Sequence, residues 1–323
     1  MSLTNFNKID ISSNHLKFED FDKRSLRDVI RDIYDQLIRR PIYKFLYKDF
    51  FKNQNYKINY TIPAKGLSNL ERINILNNKK KLRNLDILNI GCGNAFSFNH
   101  LFKFQPKSIY GIDVLNYSRS WENINKFISK QKIKTKVKFD MIDIVDLDPS
   151  LKFDIIISEA VFEHCKDFKA VVKVLSSVLK NDGVLYSSYG GPMWYTCGGD
   201  HFSGRDKIEN GYNHLLLNKD DYQEYFNKNV RNLEYELNEG GGGGILVEND
   251  LFSKLSGNEY MKIFDDEGFE SLETIVELDP VALKLLKDSP EIKKKLISLS
   301  LPVNFEDFYL KTHIVYLKKN LTN

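Results

Sequence analysis

The sequence predicts an α/β fold with a central, mainly parallel sheet and helices packed on both of its faces. From about residue 85 onward, short apolar runs alternate with charged stretches of helical length. The apolar runs are continuous rather than alternating with polar residues, which is typical of parallel strands that are buried on both faces. The predicted strands cover residues 87–90, 109–114, 137–142, 155–157 and 184–186.

The stretches between these strands are predicted to be helices. The clearest one covers residues 167–180, where apolar side chains recur at helical spacing, and Asn181-Asp182-Gly183 is expected to end it. After an irregular region the alternation resumes, with a helix near 257–267, a strand near 269–278, a helix near 280–298 and a last strand near 310–318. These elements extend the same sheet toward the C-terminus.

Composition narrows the class of protein. The chain has 323 residues, 42% of them hydrophobic, and a mean hydropathy of −0.40, which is typical of a globular protein. It contains no apolar run of ~18 residues that would predict a membrane span. The first residues have no apolar segment of the kind found in signal peptides. Three separated cysteines fit a reducing compartment, so we expect a cytoplasmic protein.

Charge is unevenly distributed along the chain. Residues 1–140 contain 27 Lys and Arg against 13 Asp and Glu, although the whole chain has a net charge of only +3. This basic half could attract an anionic substrate or RNA, but a solvated basic surface is the simpler interpretation. Lysines also alternate up to and into the third predicted strand, where they predict a sheet edge protected against pairing with another chain rather than a nucleic-acid contact. These lysines are Lys130, Lys132, Lys134, Lys136 and Lys138.

Four regions can be distinguished. Residues 1–80 form a helical extension, 81–191 the core, 192–250 an inserted cap and 251–323 the remainder of the core. In the extension, residues 14–60 look helical, and Pro41 is expected to break or restart the helix. Its apolar face is expected to pack on its own core or on a second copy of the chain, which would give a homodimer. In the cap, the five glycines at 240–244 predict a flexible connection or a close backbone approach.

The first predicted strand runs directly into Gly91-Cys92-Gly93-Asn94. Glycine is needed where a chain turns sharply and where a ligand lies against the backbone. A dinucleotide-binding loop would have a third glycine at position 96, where this chain has Phe96. The loop therefore favours a nucleoside ligand without a pyrophosphate over NAD or FAD.

Two acidic residues follow the next two strands. Asp113 lies at the end of the second strand, before Val114, and is placed to accept hydrogen bonds from both hydroxyls of a ribose. Asp143 follows the third strand, before Ile144, and could accept a hydrogen bond from an adenine amino group. The alternatives are a turn or helix cap for Asp113 and an ordinary loop position for Asp143.

Together these motifs resemble the class I methyltransferases that depend on S-adenosylmethionine (SAM), from about residue 84 to 190. Their fourth motif resembles residues 153–164, which include Ser158, and the approach to their fifth strand resembles residues 179–183, with Asp182 in place of a glycine. The resemblance implies a Rossmann-like sheet of seven strands in the order 3-2-1-4-5-7-6, with the last strand antiparallel. It also implies that SAM is the cofactor. The residues expected to bind it are Gly91, Cys92, Gly93, Asn94, Asp113, Val114, Asp143, Ile144 and Ser158.

Methyl transfer to a hydroxyl benefits from a general base near the ends of the fourth and fifth strands. His201 is the preferred candidate, with loop capping as the alternative, and Asp200 is a candidate to orient it. His164 is interpreted as a wall of the site or as structural. No spacing of Cys197, Asp200, His201 and His214 matches a zinc signature, and no metal is expected.

The sequence says less about the acceptor. The segment Gly191-Pro192-Met193-Trp194, followed by Gly199-Asp200-His201, is similar to methyltransferases of bacterial glycan pathways. This favours O-methylation of a small polar acceptor, which would be a sugar, a nucleotide sugar or a glycan precursor and could be anionic. An N-methyltransferase acting on a small amine is the closest alternative. An RNA methyltransferase, or a SAM-fold scaffold without activity, is less favoured, because no RNA-binding module is present and the ligand positions are intact.

Overall fold

The computed structural model describes residues 10–12, 18, 26–46, 66–190, 193–197, 202, 207–229 and 251–320. A seven-stranded sheet forms its centre. The strands are β1 (Asp86–Ile90), β2 (Ser108–Asp113), β3 (Lys136–Met141), β4 (Phe153–Glu159), β5 (Leu179–Tyr189), β6 (Phe269–Leu278) and β7 (Leu310–Lys319). Their order is β3-β2-β1-β4-β5-β7-β6, as the resemblance implied.

The strand directions bring the candidate site residues to one edge. β1 to β5 pair in parallel, whereas β7 is antiparallel to both β5 and β6. The register places Ile90 beside Ile112 on one side and beside Ser158 on the other. The carboxyl ends of β1, β2 and β4 therefore meet at the same edge, which is where open α/β sheets bind ligands.

Helices cover both faces of the sheet and flank it. They are α1 (Leu26–Tyr34), α2 (Arg40–Leu46), α3 (Asn69–Lys79), α4 (Phe98–Phe102), α5 (Ser118–Gln131), α6 (Phe168–Val178), α7 (Asn213–Leu216), α8 (Lys219–Asn229), α9 (Gly257–Asp266), α10 (Pro280–Asp288) and α11 (Pro290–Ser298). One core contains α3, α4 and α5 against one face, and the other contains α6 and α9 against the opposite face. Apolar side chains therefore pack between the sheet and helices on both of its faces, as the continuous apolar strands predicted.

Two helix predictions were wrong in detail. Asn181-Asp182-Gly183 does not end α6, because Leu179 already pairs with Phe153 as the first residue of β5. The three residues instead occupy an irregular part of β5 before pairing resumes. The single helix expected over 280–298 is two helices, because Pro290 lacks an N–H and disfavours helical backbone at Ser289.

Two further predictions concern the edge strand of the sheet and the helices of the N-terminal extension. β3 lies at the end of the sheet order, so the prediction of a lysine-protected edge strand is confirmed. Helical backbone continues without a break from Leu26 through the π-helical turn Asp35–Arg39 to Leu46, so the prediction that Pro41 breaks or restarts the helix is wrong. The apolar face of α1 and α2 is exposed, with Leu26 at 76% and Leu37 at 72%, so these side chains do not pack on the protein's own core.

An ionic cluster joins the helix α3 to the sheet. The Arg72 guanidinium lies 3.3 Å from the Glu277 carboxylate at the end of β6 and 3.8 Å from the Glu159 carboxylate at the end of β4. The Glu277 side chain is 1% exposed and also accepts a hydrogen bond from the Leu67 N–H at 2.5 Å. The sequence organises this junction locally, because Ser68 and Glu71 form a capping box that fixes where α3 begins.

We expect Arg72→Met to destabilise the fold strongly. The Glu277 carboxylate would remain buried without its cation, which typically costs about 3–5 kcal/mol. Chemical denaturation would measure the change in the free energy of unfolding. Lys284→Met is the matched control, because the Lys284–Asp288 pair is exposed and should contribute about 0.5 kcal/mol or less. A loss of the same small size in both variants would contradict a structural role for Arg72.

Candidate functional site

The loop after β1 has the conformation that its glycines predicted. Gly91 and Gly93 have φ angles of +60° and +50°, in the left-handed region that favours glycine. A Cβ on Gly91 would overlap the side chain of Val161, which follows β4. The backbone of the loop therefore runs close to the chain leaving β4, and no other residue type fits at Gly91.

Hydrogen bonds from neighbouring elements fix the loop. The Cys92 N–H donates to the Ile112 carbonyl at 3.0 Å, which continues the pairing of β1 with β2. The Trp121 Nε1–H donates to the Gly93 carbonyl at 2.8 Å. The Ser120 hydroxyl donates to Asn94 Oδ1 at 2.6 Å. Both Ser120 and Trp121 belong to α5, so this helix holds the loop from one side.

Asp113 stands at the end of β2 and faces the loop. Its Oδ2 accepts a hydrogen bond from the Gly93 N–H at 2.8 Å, and its Oδ1 accepts one from the Leu115 N–H at 2.9 Å. Burial raises the pKa of Asp113, and these backbone donors oppose the shift. The Val114 N–H also bonds to Asp113, and a carboxylate accepts about four hydrogen bonds, so acceptor capacity remains for a donor such as a ribose hydroxyl.

The remaining predicted ligand-binding residues lie along the same edge. Asp143 caps a short 3₁₀ turn, Ile144–Asp146, and accepts a hydrogen bond from the Val145 N–H at 3.2 Å. Val114 directly follows β2, and Ile144 is buried in the core beside it. Ser158 is fully buried in β4, and its hydroxyl has no hydrogen-bond partner among the described residues.

A buried carboxyl group that the sequence analysis did not single out lies beyond β4. Glu163 is 6% exposed and stands in a 3₁₀ turn, Phe162–His164. Its Oε1 accepts a hydrogen bond from the Gly190 N–H at 3.2 Å, just after β5, whereas its Oε2 has no partner in the described part of the chain. Burial raises the pKa of Glu163 to about 7. No sequence pattern predicts this burial, because an acidic residue in a turn is ordinarily exposed.

The other acid at this edge, Glu159, has a different environment. It accepts hydrogen bonds from the Tyr186 hydroxyl and the Asn69 amide, and it forms an ion pair with Arg72. Burial raises the pKa of Glu159, whereas Arg72 and the two hydrogen bonds lower it. Its charge is therefore balanced within the fold.

His164 bonds to the backbone at the other side of the edge. Its Nδ1 lies 2.9 Å from the Leu251 carbonyl, and its ring lies 5.3 Å from the Phe252 ring. Burial lowers the pKa of His164, so the imidazole is neutral near pH 7. This geometry is compatible with the predicted role as a wall of the site, which stays a prediction.

The segment after β5 is partly described. Trp194 and Tyr195 are buried, and the Trp194 Nε1–H donates to the Leu255 carbonyl at 3.1 Å. Asp200 and His201, the predicted base and its partner, lie outside the described residues, as do the five glycines at 240–244. Their roles stay predictions.

His214, from the set considered for a metal, is buried. Its Nε2 lies 3.0 Å from the Met193 carbonyl, and burial lowers the pKa of His214 to about 4. Within the described ranges, no group of three or more His, Cys, Asp or Glu side chains could hold a metal ion.

These features define a class of protein before any comparison is made. The sheet order is that of the class I SAM-dependent methyltransferase fold, and the glycine loop held by the Asp113 carboxylate lies at the edge where open α/β sheets bind ligands. The nucleoside-binding roles of the loop and of Asp113 stay predictions. The residues fit SAM, because a Cβ on Gly93 would meet only the Tyr117 ring, at 3.8 Å, so the backbone there is open to a ligand, and Asp113 retains acceptor capacity. No described helix is both long enough and apolar enough to cross a membrane.

Comparison with known families agrees with this class. The family described as "Methyltransferase domain" matches residues 81–268, which is more than half of the chain. The chain therefore belongs to this family, and SAM is the cofactor of its methyltransferase domain.

The curated relatives match only part of their own length. A malonyl-[acyl-carrier protein] O-methyltransferase from Acetivibrio thermocellus is 30% identical over 159 residues, which are 47% of this chain and 52% of that protein. A tRNA U34 carboxymethyltransferase from Campylobacter fetus is 27% identical over 189 residues, 56% of this chain and 61% of that protein. A ubiquinone biosynthesis O-methyltransferase from Pelagibacter ubique is 30% identical over 114 residues, 35% of this chain and 45% of that protein. The chain thus spans about half the length of these relatives.

Solved structures are also similar. An S-adenosylmethionine-dependent methyltransferase from Mesorhizobium loti aligns with a TM-score of 0.47 and 12% identity, covering 77% of this chain and 98% of that one. A putative sarcosine dimethylglycine methyltransferase from Galdieria sulphuraria aligns with a TM-score of 0.46 and 16% identity, covering 78% of this chain and 84% of that one.

We expect Asp113→Ala to weaken SAM binding by about 1.5–3 kcal/mol, because hydrogen bonds to a charged group are lost. Isothermal titration calorimetry measures the affinity, and circular dichroism checks that the fold is intact. The exposed Asp146→Ala is the control and should bind SAM as the unmodified chain does. Unchanged affinity in a folded Asp113→Ala variant would remove Asp113 from the site.

The raised pKa of Glu163 has a consequence for stability. Because its pKa rises from 4.5 to about 7 on folding, Glu163 favours the folded state at low pH, and this contribution is lost as the pH rises toward 7. From about pH 5 to about pH 8, the free energy of unfolding should therefore fall by about 2–3 kcal/mol relative to Glu163→Gln. Denaturant unfolding at several pH values measures this difference.

The exposed Glu291→Gln variant controls for the loss of one carboxylate. Its unfolding free energy should follow that of the unmodified chain across the same pH range. If the Glu163→Gln variant also did so, the carboxyl of Glu163 would titrate at its ordinary value, and its burial would have no electrostatic effect.

Proposed function

We propose that this protein transfers the methyl group of SAM to a hydroxyl oxygen of a small polar acceptor: a sugar, a nucleotide sugar or a glycan precursor. The observation that carries the proposal is the aromatic and hydroxyl-bearing segment that leaves β5 at the ligand edge. Trp194 and Tyr195 are buried there, and Thr196 donates a hydrogen bond to Asp279. Aromatic rings that are held in place can pack against the apolar face of a sugar ring.

The names of the relatives include both oxygen and tRNA as acceptors. Two curated relatives are named O-methyltransferases, which is consistent with oxygen as the atom that is methylated. Several others are named tRNA U34 carboxymethyltransferases, so tRNA belongs among the substances tested. The basic first part of the chain would favour an anionic acceptor such as a nucleotide sugar.

The protein's own contribution to such a reaction is mainly positioning. SAM, when bound, supplies an electrophilic methyl group. The Gly91 and Gly93 backbone and Asp113 would hold the nucleoside, while Trp194 and Tyr195 would exclude water from the acceptor side. Holding the two reactants in line accounts for a large part of the barrier reduction in reactions of this type.

A panel of acceptors tests this proposal. Purified protein is incubated with SAM and, separately, with UDP-glucose, simple methyl glycosides, phenols, primary amines and tRNA. Formation of S-adenosylhomocysteine and the mass of the product are then measured. We expect a methyl ether on a sugar or nucleotide sugar. Methylation only of amines or only of tRNA would contradict the hydroxyl acceptor while leaving the family unchanged.

A further inference from the structure

Three buried polar atoms that have no hydrogen-bond partner among the described residues lie at or just beyond the carboxyl ends of β4 and β5. They are Oγ of Ser158, Oγ of Ser187 and Oε2 of Glu163. Ser158 and Ser187 are directly paired in the register of the two strands, and both are fully buried. Buried polar atoms are nearly always hydrogen-bonded, so several unsatisfied ones in one place call for a ligand or water that bonds them.

The Ser158 and Ser187 hydroxyls lie toward the same face of the sheet. Side chains alternate between faces along a strand, so Ser187 shares a face with Tyr189, which packs against Tyr260 of α9. The Glu163 carboxyl reaches this end of β5 through the Gly190 N–H. Glu163 therefore connects the end of β4 to the end of β5. Val161, two residues before Glu163, contacts Gly91 of the loop after β1.

The surroundings of Glu163 leave its charge unbalanced. The titratable groups that face it are Cys165 from its own turn and Tyr260 from α9, with His164 next in the chain. Burial raises the pKa values of Cys165 and Tyr260, so both are neutral near pH 7. Burial lowers the pKa of His164, so this ring is neutral as well. Within the described residues, Glu163 therefore has no cation of the kind that Arg72 provides for Glu159.

We propose that Glu163, rather than His201, accepts the proton of the acceptor hydroxyl, with the Ser158 and Ser187 hydroxyls completing the polar lining beside it. This assignment rests on the proposed hydroxyl acceptor. The acceptor oxygen forms a bond to the methyl carbon, the bond between that carbon and sulfur breaks with its electrons going to sulfur, and the hydroxyl proton passes to Oε2 of Glu163. The carboxylic acid then returns its proton to solvent after the product leaves.

The charges at the site favour this role. The donor's sulfonium is positive before transfer and its product is neutral, so an ionised carboxylate nearby is stabilised only while the methyl group is still on sulfur. A carboxyl with a pKa near neutrality can hold a proton after transfer and release it again at physiological pH. Glu163 combines these properties with one oxygen that the Gly190 hydrogen bond leaves available.

A binding experiment that needs no acceptor tests this placement. The affinities of SAM and of S-adenosylhomocysteine are measured by calorimetry from about pH 6 to about pH 8. If Glu163 lies beside the sulfonium, the ratio of the SAM affinity to the S-adenosylhomocysteine affinity should rise roughly fivefold over this range as Glu163 ionises. In Glu163→Gln the ratio should be independent of pH. A flat ratio in the unmodified protein would overturn the proposal.

Asp307→Asn is the matched control for this experiment. Asp307 is also buried, and burial raises its pKa to about 6, but its oxygens accept hydrogen bonds from the Gly257 and Asn304 N–H groups. The variant should keep the pH-dependent ratio of the unmodified protein, since Asp307 is not part of the proposed site. Loss of the pH dependence in Asp307→Asn alone would assign the effect to Asp307 and contradict the proposal.

Turnover provides the second test, with a sugar or nucleotide sugar that the acceptor panel shows to be methylated. Glu163→Gln retains an oxygen for the Gly190 N–H but removes the basic group, so kcat should fall about 10²–10⁴-fold while S-adenosylhomocysteine affinity is unchanged. The loss of activity below about pH 7 should also disappear. A structural brace would tolerate Gln, so kcat within about threefold of the unmodified protein would overturn the proposal.

His201→Ala and His164→Ala complete the set. Under our proposal, each should lower kcat less than tenfold, because neither histidine takes the proton. A large loss in His201→Ala together with normal turnover in Glu163→Gln would restore the assignment made from the sequence. Failure of the whole acceptor panel would contradict the proposed acceptor class, and the binding experiment would still decide whether Glu163 faces the sulfonium.

Discussion

The hydrogen bond from the Gly93 N–H to the Asp113 carboxylate is the contact on which the candidate site depends. It joins the loop after β1 to the end of β2, across two strands that are already paired up to Ile112. The loop contains three residues with positive φ, Gly91, Gly93 and Ala95, a conformation that glycine tolerates and that alanine adopts only when the surrounding structure holds it. The same carboxylate that fixes the loop retains acceptor capacity for a ligand, so loop structure and ligand binding share one side chain.

The second constraint is that polar side chains at this edge are buried before any ligand binds. Ser158 and Glu163 are buried at the end of β4 and just after it, whereas the Glu159 side chain, at the end of β4, is 22% exposed. Burial without partners is costly for polar groups and more costly for charges. The Glu159 carboxylate is stabilised by its ion pair with Arg72 and by hydrogen bonds from Tyr186 and Asn69. The Glu163 carboxyl has no such partners among the described residues, and burial raises its pKa so that the neutral form is favoured.

The features that could be predicted from the sequence are those that depend on the pattern of residues within a short stretch of chain. The strands and the Gly91-Cys92-Gly93 loop depend on residues close together in the chain, and so does the spacing to Asp113. The break at Ser289 was equally local and could have been inferred from Pro290. The environment of Glu163 was not predictable, because its burial depends on Gly190 and on α9, which packs against it from far along the chain.

The contrast between Glu159 and Glu163 links the helix α3 to function. Arg72 comes from α3, which precedes the first strand, and it pairs with Glu159 as well as with Glu277. On the opposite face no described residue does the same for Glu163. The end of β4 thus carries a carboxyl that is paired with a cation, and the turn after it carries one that has no described cation. Because the two side chains lie on opposite faces, substituting Arg72 should disturb the fold without moving the proton that Glu163 exchanges.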